Sequence, residues 1–361
     1  MAVPLSFSTF VDATGSKHLE PLDNARVATL TGLQEKRIHQ STRIHLRYIL
    51  KPGSHPNDLA HEVTGRFLRT SKIDPHRISA LAVSHTHYEG NAASDMANEI
   101  GDSLRINRDR IASIAFGCAG FPEIVMRAQA FGEGMNPGEH VLVLNVETPD
   151  RMMDSRDSRA TPIFASGASA TSLSHDEGHQ LIFAEARNIV PPDNPDGTEI
   201  FRIFRDEAED FSGIRSVRTI FRMDGDLAYK NGAALIEDAA RTSLHRVMQD
   251  PRLHGRRILV VPDQANAKMI KAFDDVVAPE MIAGEFAEYG IPQVRFVNGM
   301  EGMGNTISAT IPSVLARLSV IEGIDPQKGD IVLFPAAGIC IADPGGKMSQ
   351  GMGAMVWNPR N

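Results

Sequence analysis

Residues 111–131 read IASIAFGCAGFPEIVMRAQAF, and this stretch decides the fold. It holds Cys118, one of two cysteines in the chain. The apolar run 111–116 has the length of a strand, and Phe121, Ile124, Val125, Ala128 and Phe131 then recur at helical spacing. Pro122 suits the first turn of that helix, where a missing N–H costs nothing. The cysteine therefore falls where a buried strand turns sharply into a helix. Free N–H groups and the positive end of the helix dipole gather there. Both favour thiolate over thiol, which predicts a nucleophile with a lowered pKa. A small buried hydrophobe is the alternative use of a free cysteine.

Outward from this stretch the chain alternates short apolar strands with helices. Strands are predicted at 44–50, 78–83, 140–146, 181–188, 257–261, 293–297, 330–334 and 352–357. Helices are predicted at 57–69, 92–101, 232–248, 266–276 and 308–322, the second of them ending at Gly101 as helices often end at glycine. This alternation argues for an α/β architecture. The two sides of the midpoint repeat a similar element order, without a residue-level repeat. Residues 190–216, rich in Pro, Asp and Gly, read as an irregular surface excursion or lid that marks the boundary between halves.

Composition narrows the function. The 361 residues suffice for two domains or one large layered one, and 42% hydrophobic with 23% charged residues is ordinary for a globular protein. A net charge of −8 argues against a nucleic-acid surface. Two cysteines cannot make a disulfide framework, the first residues lack the pattern of a signal peptide, and no apolar run reaches the roughly 18 residues that span a membrane. The expectation is a cytoplasmic protein that binds neither nucleic acid nor membrane.

Three segments share the order strand, tight turn, helix: AFGCAGF (115–121), VVPDQAN (260–266) and GMGNTISATIP (302–312). In open α/β sheets ligands bind where strands end and helices begin, which places Cys118, Asp263 and Asn305 at candidate site positions. With GCAGFPEIVMRA, ASGASATS, RMDGDLAYKNGA, VPDQANAKMI, GNTISATIP, AAGIC and GMGAMVW in this order over nearly the whole chain, the sequence resembles the ketoacyl-acyl-carrier-protein synthase III branch of the thiolase superfamily. The resemblance implies a five-layered αβαβα fold of two similar halves, 1–180 with the cysteine and 181–361 with Asp263 and Asn305, in a homodimer. It implies that Cys118 is acylated by a thioester of coenzyme A or of the phosphopantetheine of an acyl carrier protein, with no permanently bound cofactor. Backbone N–H groups at Cys118 and Gly338 would hold the oxyanion, and Asn266 would contact substrate.

One position departs from the pattern. Where the family's motif has histidine, this chain has Asp263. An ionised carboxylate donates no hydrogen bond to a thioester enolate and repels its charge, which speaks against ordinary malonyl decarboxylation. It also raises the pKa of a nearby Cys118. Asp263 is the candidate base if burial raises its own pKa. A cap on the following helix is its plainer use, although Asn266 can serve as that cap. The segment SHTHYEG (84–90) places His85, His87 and Glu89 at alternate positions, on one face if extended. The resemblance makes this the loop that reaches a neighbouring subunit's acyl pocket, with Glu89 or His87 as reserve base. No fourth ligand accompanies them, so no metal site is expected. The function expected is an acyltransferase or condensing enzyme of secondary or fatty-acid-type metabolism, making a C–C, ester or amide bond. The competing class is a non-catalytic partner that shapes the pocket of an active ketosynthase.

Overall fold

The computed structural model describes residues 4–87, 91–340 and 345–359. Its main sheet repeats one strand order twice. In the first half the spatial order is Ile111–Ile114, Ile78–Ser84, His140–Glu147, Gly167–Ser174, Ser6–Phe7; in the second it is Val294–Phe296, Ile258–Val260, Ile331–Leu333, Met348–Val356, His179–Ile189. In both, the first three strands run parallel and the last two join antiparallel. The halves meet where Ser6–Phe7 pairs antiparallel with His179–Ile189.

Helices pack in three layers around these strands. Pro56–Ser71 and Ala92–Leu104 cover the outside of the first half, and Gly225–Met248 with Ala278–Ala283 the outside of the second. Gly120–Gly132 lies between, touching strands of both halves, and Thr310–Ala316 joins the same apolar core. The result is helix, sheet, helix, sheet, helix. Covered on both faces, the strand His140–Glu147 is buried at every position and reads as a continuous apolar run. Small residues let the layers close: a Cβ on Gly120 would stand 2.6 Å from Ser84 Oγ and 2.7 Å from Ser308 Cβ.

Two local expectations change. The helix over Ala92–Leu104 runs through Gly101, because a Cβ there would meet Ile111 Cδ1 at 2.3 Å; the glycine serves helix–strand contact, and Arg105 takes the left-handed cap position. Residues 190–200 are irregular as expected, but 201–216 are not. They lie in a hairpin, Phe201–Glu209 against Arg215–Met223, which lies within the second half. Its acidic residues pair with arginines, Arg222 with Asp206 and Arg215 with Glu209, and Arg202 and Arg222 lie over the Phe204 ring. Buried Phe201 and Phe221 pack on Met152, Met153 and Phe164.

Candidate active site

Cys118 sits in the short 3₁₀ turn Gly117–Ala119 between strand and helix. Gly117, at φ +66°, makes that turn in a conformation side chains disfavour. No side chain caps the helix that follows; the Gly120 N–H at its start bonds the Gly117 carbonyl. The thiol faces a cavity of about 320 Å³ whose lining includes Asp263, Asn305, Gly338, Phe164 and Phe221. Gly338 belongs to the strand Ala336–Ile339, and its backbone presses on the cysteine: a Cβ there would lie 2.7 Å from Cys118 Cβ and 3.0 Å from the sulfur.

Asn305 is fixed in orientation. Its backbone bonds Ile163 and Ala165, and its Oδ1 accepts from the Ile307 N–H at 2.7 Å and from the Thr310 hydroxyl at 3.3 Å. With the oxygen so used, the Nδ2 donor is the face left for the cavity. Asp263 follows the strand Ile258–Val260, its N–H bonded to the Pro335 carbonyl. Its side chain is fully buried, and neither oxygen has a hydrogen-bond partner of good geometry among the described residues. Cys118, the Gln264 backbone N–H and Asn305 act on it as looser contacts. Gln264, adjacent in sequence, turns away to brace the Val297 and Pro262 carbonyls and the Gly299 N–H.

The electrostatics reverse one expectation. Burial pushes the Asp263 carboxyl up to about 7, opposed by its contacts with Cys118, the Gln264 backbone N–H and Asn305. Burial, then the charge of Asp263, push the Cys118 thiol well above the usual thiol range. The helix end therefore does not produce a resting thiolate: desolvation and a carboxylate outweigh the helix dipole. A thiol of this kind reacts when its proton is taken during attack.

Curated relatives and solved structures share this chain's length and layout. Beta-ketoacyl-acyl-carrier-protein synthase III of Allorhizobium ampelinum is 26% identical over 318 residues, covering 88% of this chain and 91% of the relative. The solved 3-oxoacyl-(acyl carrier protein) synthase III of Pseudomonas aeruginosa superposes with a TM-score of 0.72 at 19% identity, over 99% of each chain. The chain is similar in sequence to ketoacyl-acyl-carrier-protein synthase III and shares its five-layered thiolase fold. OleA of Xanthomonas campestris, solved with lauric acid and lauroyl-CoA bound, has the same fold with a TM-score of 0.67 at 15% identity, covering 98% of this chain and 99% of that one. No family model matches the chain.

In this synthase III-like chain the sequence-marked residues Cys118, Asp263, Asn305, Gly338 and Asn266 all line one cavity. Asn266 also caps the helix Ala267–Ala272, its Oδ1 accepting from the Lys268 and Met269 N–H groups, which leaves Asp263 free of that duty. His85 is buried, its Nδ1–H on the Val146 carbonyl, and burial holds its imidazole neutral with a pKa of about 4. His87 is half-buried with its ring 6.0 Å from that of His85; Glu89 lies outside the described residues. No helix among the described residues is long and apolar enough to cross a membrane.

Sequence reasoning missed the hairpin that supplies Phe221 and Met223 to the cavity wall. Glu147 also escaped it. This carboxyl is buried near the cysteine and pushed up to about 8 by desolvation, against the hydrogen bonds of Ser308 and Thr86. An acidic residue ending an eight-residue apolar strand was the available signal.

Proposed function

We propose that this chain is an acyltransferase or condensing enzyme that carries an acyl group on Cys118. The observation behind this reading is the convergence of thiol, Asp263 carboxyl, Asn305 amide and Gly338 backbone on one largely apolar cavity. The donor is an acyl thioester of coenzyme A or of an acyl carrier protein, and the working unit is a homodimer. Cys118 sulfur attacks the thioester carbonyl and gives up its proton. The old C–S bond breaks, and the leaving thiolate takes that proton. The acceptor then gives its own proton to Asp263 and attacks the acyl carbonyl; Cys118 departs and is reprotonated by the same carboxyl. Backbone N–H groups of Cys118 and Gly338 hold the oxyanion, and Asn305 Nδ2 holds the acceptor or a carbonyl oxygen.

The acceptor is an alcohol, an amine or a carbon acid rather than a malonyl thioester activated by decarboxylation. A malonyl carboxylate would face Asp263, and Arg159 is the one cation among the described lining residues. Glu89 and His87, reaching over from the second subunit, are the reserve base. The resemblance places histidine where this chain has Asp263, so the exchange moves the site from enolate stabilisation towards proton abstraction. Secondary or fatty-acid-type metabolism is the setting that fits acyl thioester substrates.

Asp263→Asn separates the two half-reactions. Removing the carboxylate removes a cause of the raised thiol pKa, so the variant acylates Cys118 from acyl-CoA or acyl carrier protein. It then fails to discharge the acyl group to an acceptor. Intact-mass spectrometry should show one acyl adduct that persists in Asp263→Asn, turns over in wild type and is absent in Cys118→Ala. Turnover of Asp263→Asn at the wild-type rate would move the base to Glu89 or His87.

A further inference from the structure

Near the cysteine a second buried carboxyl joins three elements. Glu147 ends the strand His140–Glu147 with no exposed surface. Its Oε2 accepts the Thr86 N–H at 3.0 Å, and its Oε1 meets the Thr86 hydroxyl at 3.1 Å and the Ser308 hydroxyl more closely. Thr86 is itself part of the cavity wall. Ser308 belongs to the 3₁₀ turn Ile307–Ala309, which begins two residues after Asn305, and rests on Gly120, the first residue of the cysteine helix. That turn carries Ile307 at φ +52°, a left-handed conformation costly for a β-branched residue, so something must hold it in place.

We infer that Glu147 is a positioning residue for the chemistry of Cys118: its carboxyl pins the Ser308 turn, and with it Asn305, against the cysteine helix, and sets a second negative charge near the thiol only when it ionises. The inference rests on the proposed role of Cys118. Titratable groups around it are Cys118, Asp263 and the neutral His85. Thr86 and Ser308 carry no charge, and their hydroxyls turn to donate to a carboxylate or to accept from a protonated carboxyl. A neutral Glu147 lets Asp263 be the one anion beside the thiol at neutral pH. Its field reaches the cysteine, since its charge is among the causes of the raised thiol pKa.

The test compares Glu147→Gln with Glu147→Ala in the full chain. Cys118 alkylation by iodoacetamide is followed by intact mass from pH 6 to 10, with Cys118→Ala as blank and melting temperature as the folding control. This readout needs no acyl donor, so its failure is separate from a failure of the acyltransferase reading. Glu147→Gln keeps the shape and hydrogen bonds but cannot ionise; its alkylation midpoint should fall by about half a pH unit or more below wild type. At pH 7 it should alkylate within about threefold of wild type, whereas Glu147→Ala, which frees Ser308 and Thr86, should lose about tenfold or more. Unchanged midpoints would overturn the inference. So would a Glu147→Gln variant as slow at pH 7 as Glu147→Ala while both melt like wild type, because the carboxyl would then act by its charge rather than by position.

Discussion

The two halves build the same turn and put it to different uses. After its edge strand, the first half has Gly117 at φ +66°, then Cys118 and a 13-residue helix. The second half has Gly304 at φ +70°, then Asn305 and a 7-residue helix. In the first turn no side chain bonds the helix N–H groups, and the turn is closed by backbone alone, Gly120 N–H on the Gly117 carbonyl. In the second, Asn305 takes the Ile307 N–H and Thr310 takes the Thr306 N–H, which uses up main-chain donors and leaves a side-chain amide facing the cavity. Repetition of the strand order therefore repeats the geometry of a site without repeating its chemistry. One turn offers a thiol; the other offers one fixed amide.

Breaking the second turn should produce the largest effect. Asn305→Ala loses the Nδ2 donor and the bond that caps Ile307, so discharge of acyl-Cys118 should slow by about a hundredfold. Rapid-quench intact-mass measurements follow this, and a loss below about threefold would mean that the second turn is only structural.

A stability difference of intermediate size tests the charge between the turns. Asp263 has a folded pKa raised from 3.8 to about 7, so between those values the folded protein holds a proton that the unfolded chain has lost. Stability therefore falls as pH rises through this window and stays low above about 7. Asp263→Asn removes the penalty and should stabilise the protein by on the order of 3 kcal/mol at pH 8 and by almost nothing near pH 4. Urea unfolding at the two pH values checks this, and a stabilisation of equal size at both would show that charge burial is not its cause.

The smallest effect belongs to a glycine remote from both turns. Gly101→Ala drives a Cβ into the Ile111 side chain and should cost about 1–2 kcal/mol of stability by loosening helix against strand. Acylation of Cys118 in the folded variant should match wild type. A fall in acylation there would show that the edge strand leading to Cys118 transmits strain to the site.

By itself the sequence determined the local pieces. Period-2 and period-3.6 apolar patterns with glycine punctuation set the strand–turn–helix units at Cys118 and Asn305, because these depend on residues adjacent in the chain. Motif order determined the family resemblance and singled out Asp263, Gly338 and Asn266, residues that the fold gathers at one cavity. The hairpin Phe201–Met223 escaped because most of its positions are half-buried or exposed, so its alternation is blurred by arginines and acids that pair across strands. Gly101 looked like a stop because glycine ends helices when nothing else is known; only the Ile111 side chain, brought alongside, gives it another purpose. Protonation was decided by tertiary structure alone. A helix end argues for thiolate from local geometry, but desolvation and the nearness of Asp263 and Glu147 come from segments about 145 and 30 residues distant in the chain. Burial is a property of the assembled layers, and with it comes the charge state of every group in the site.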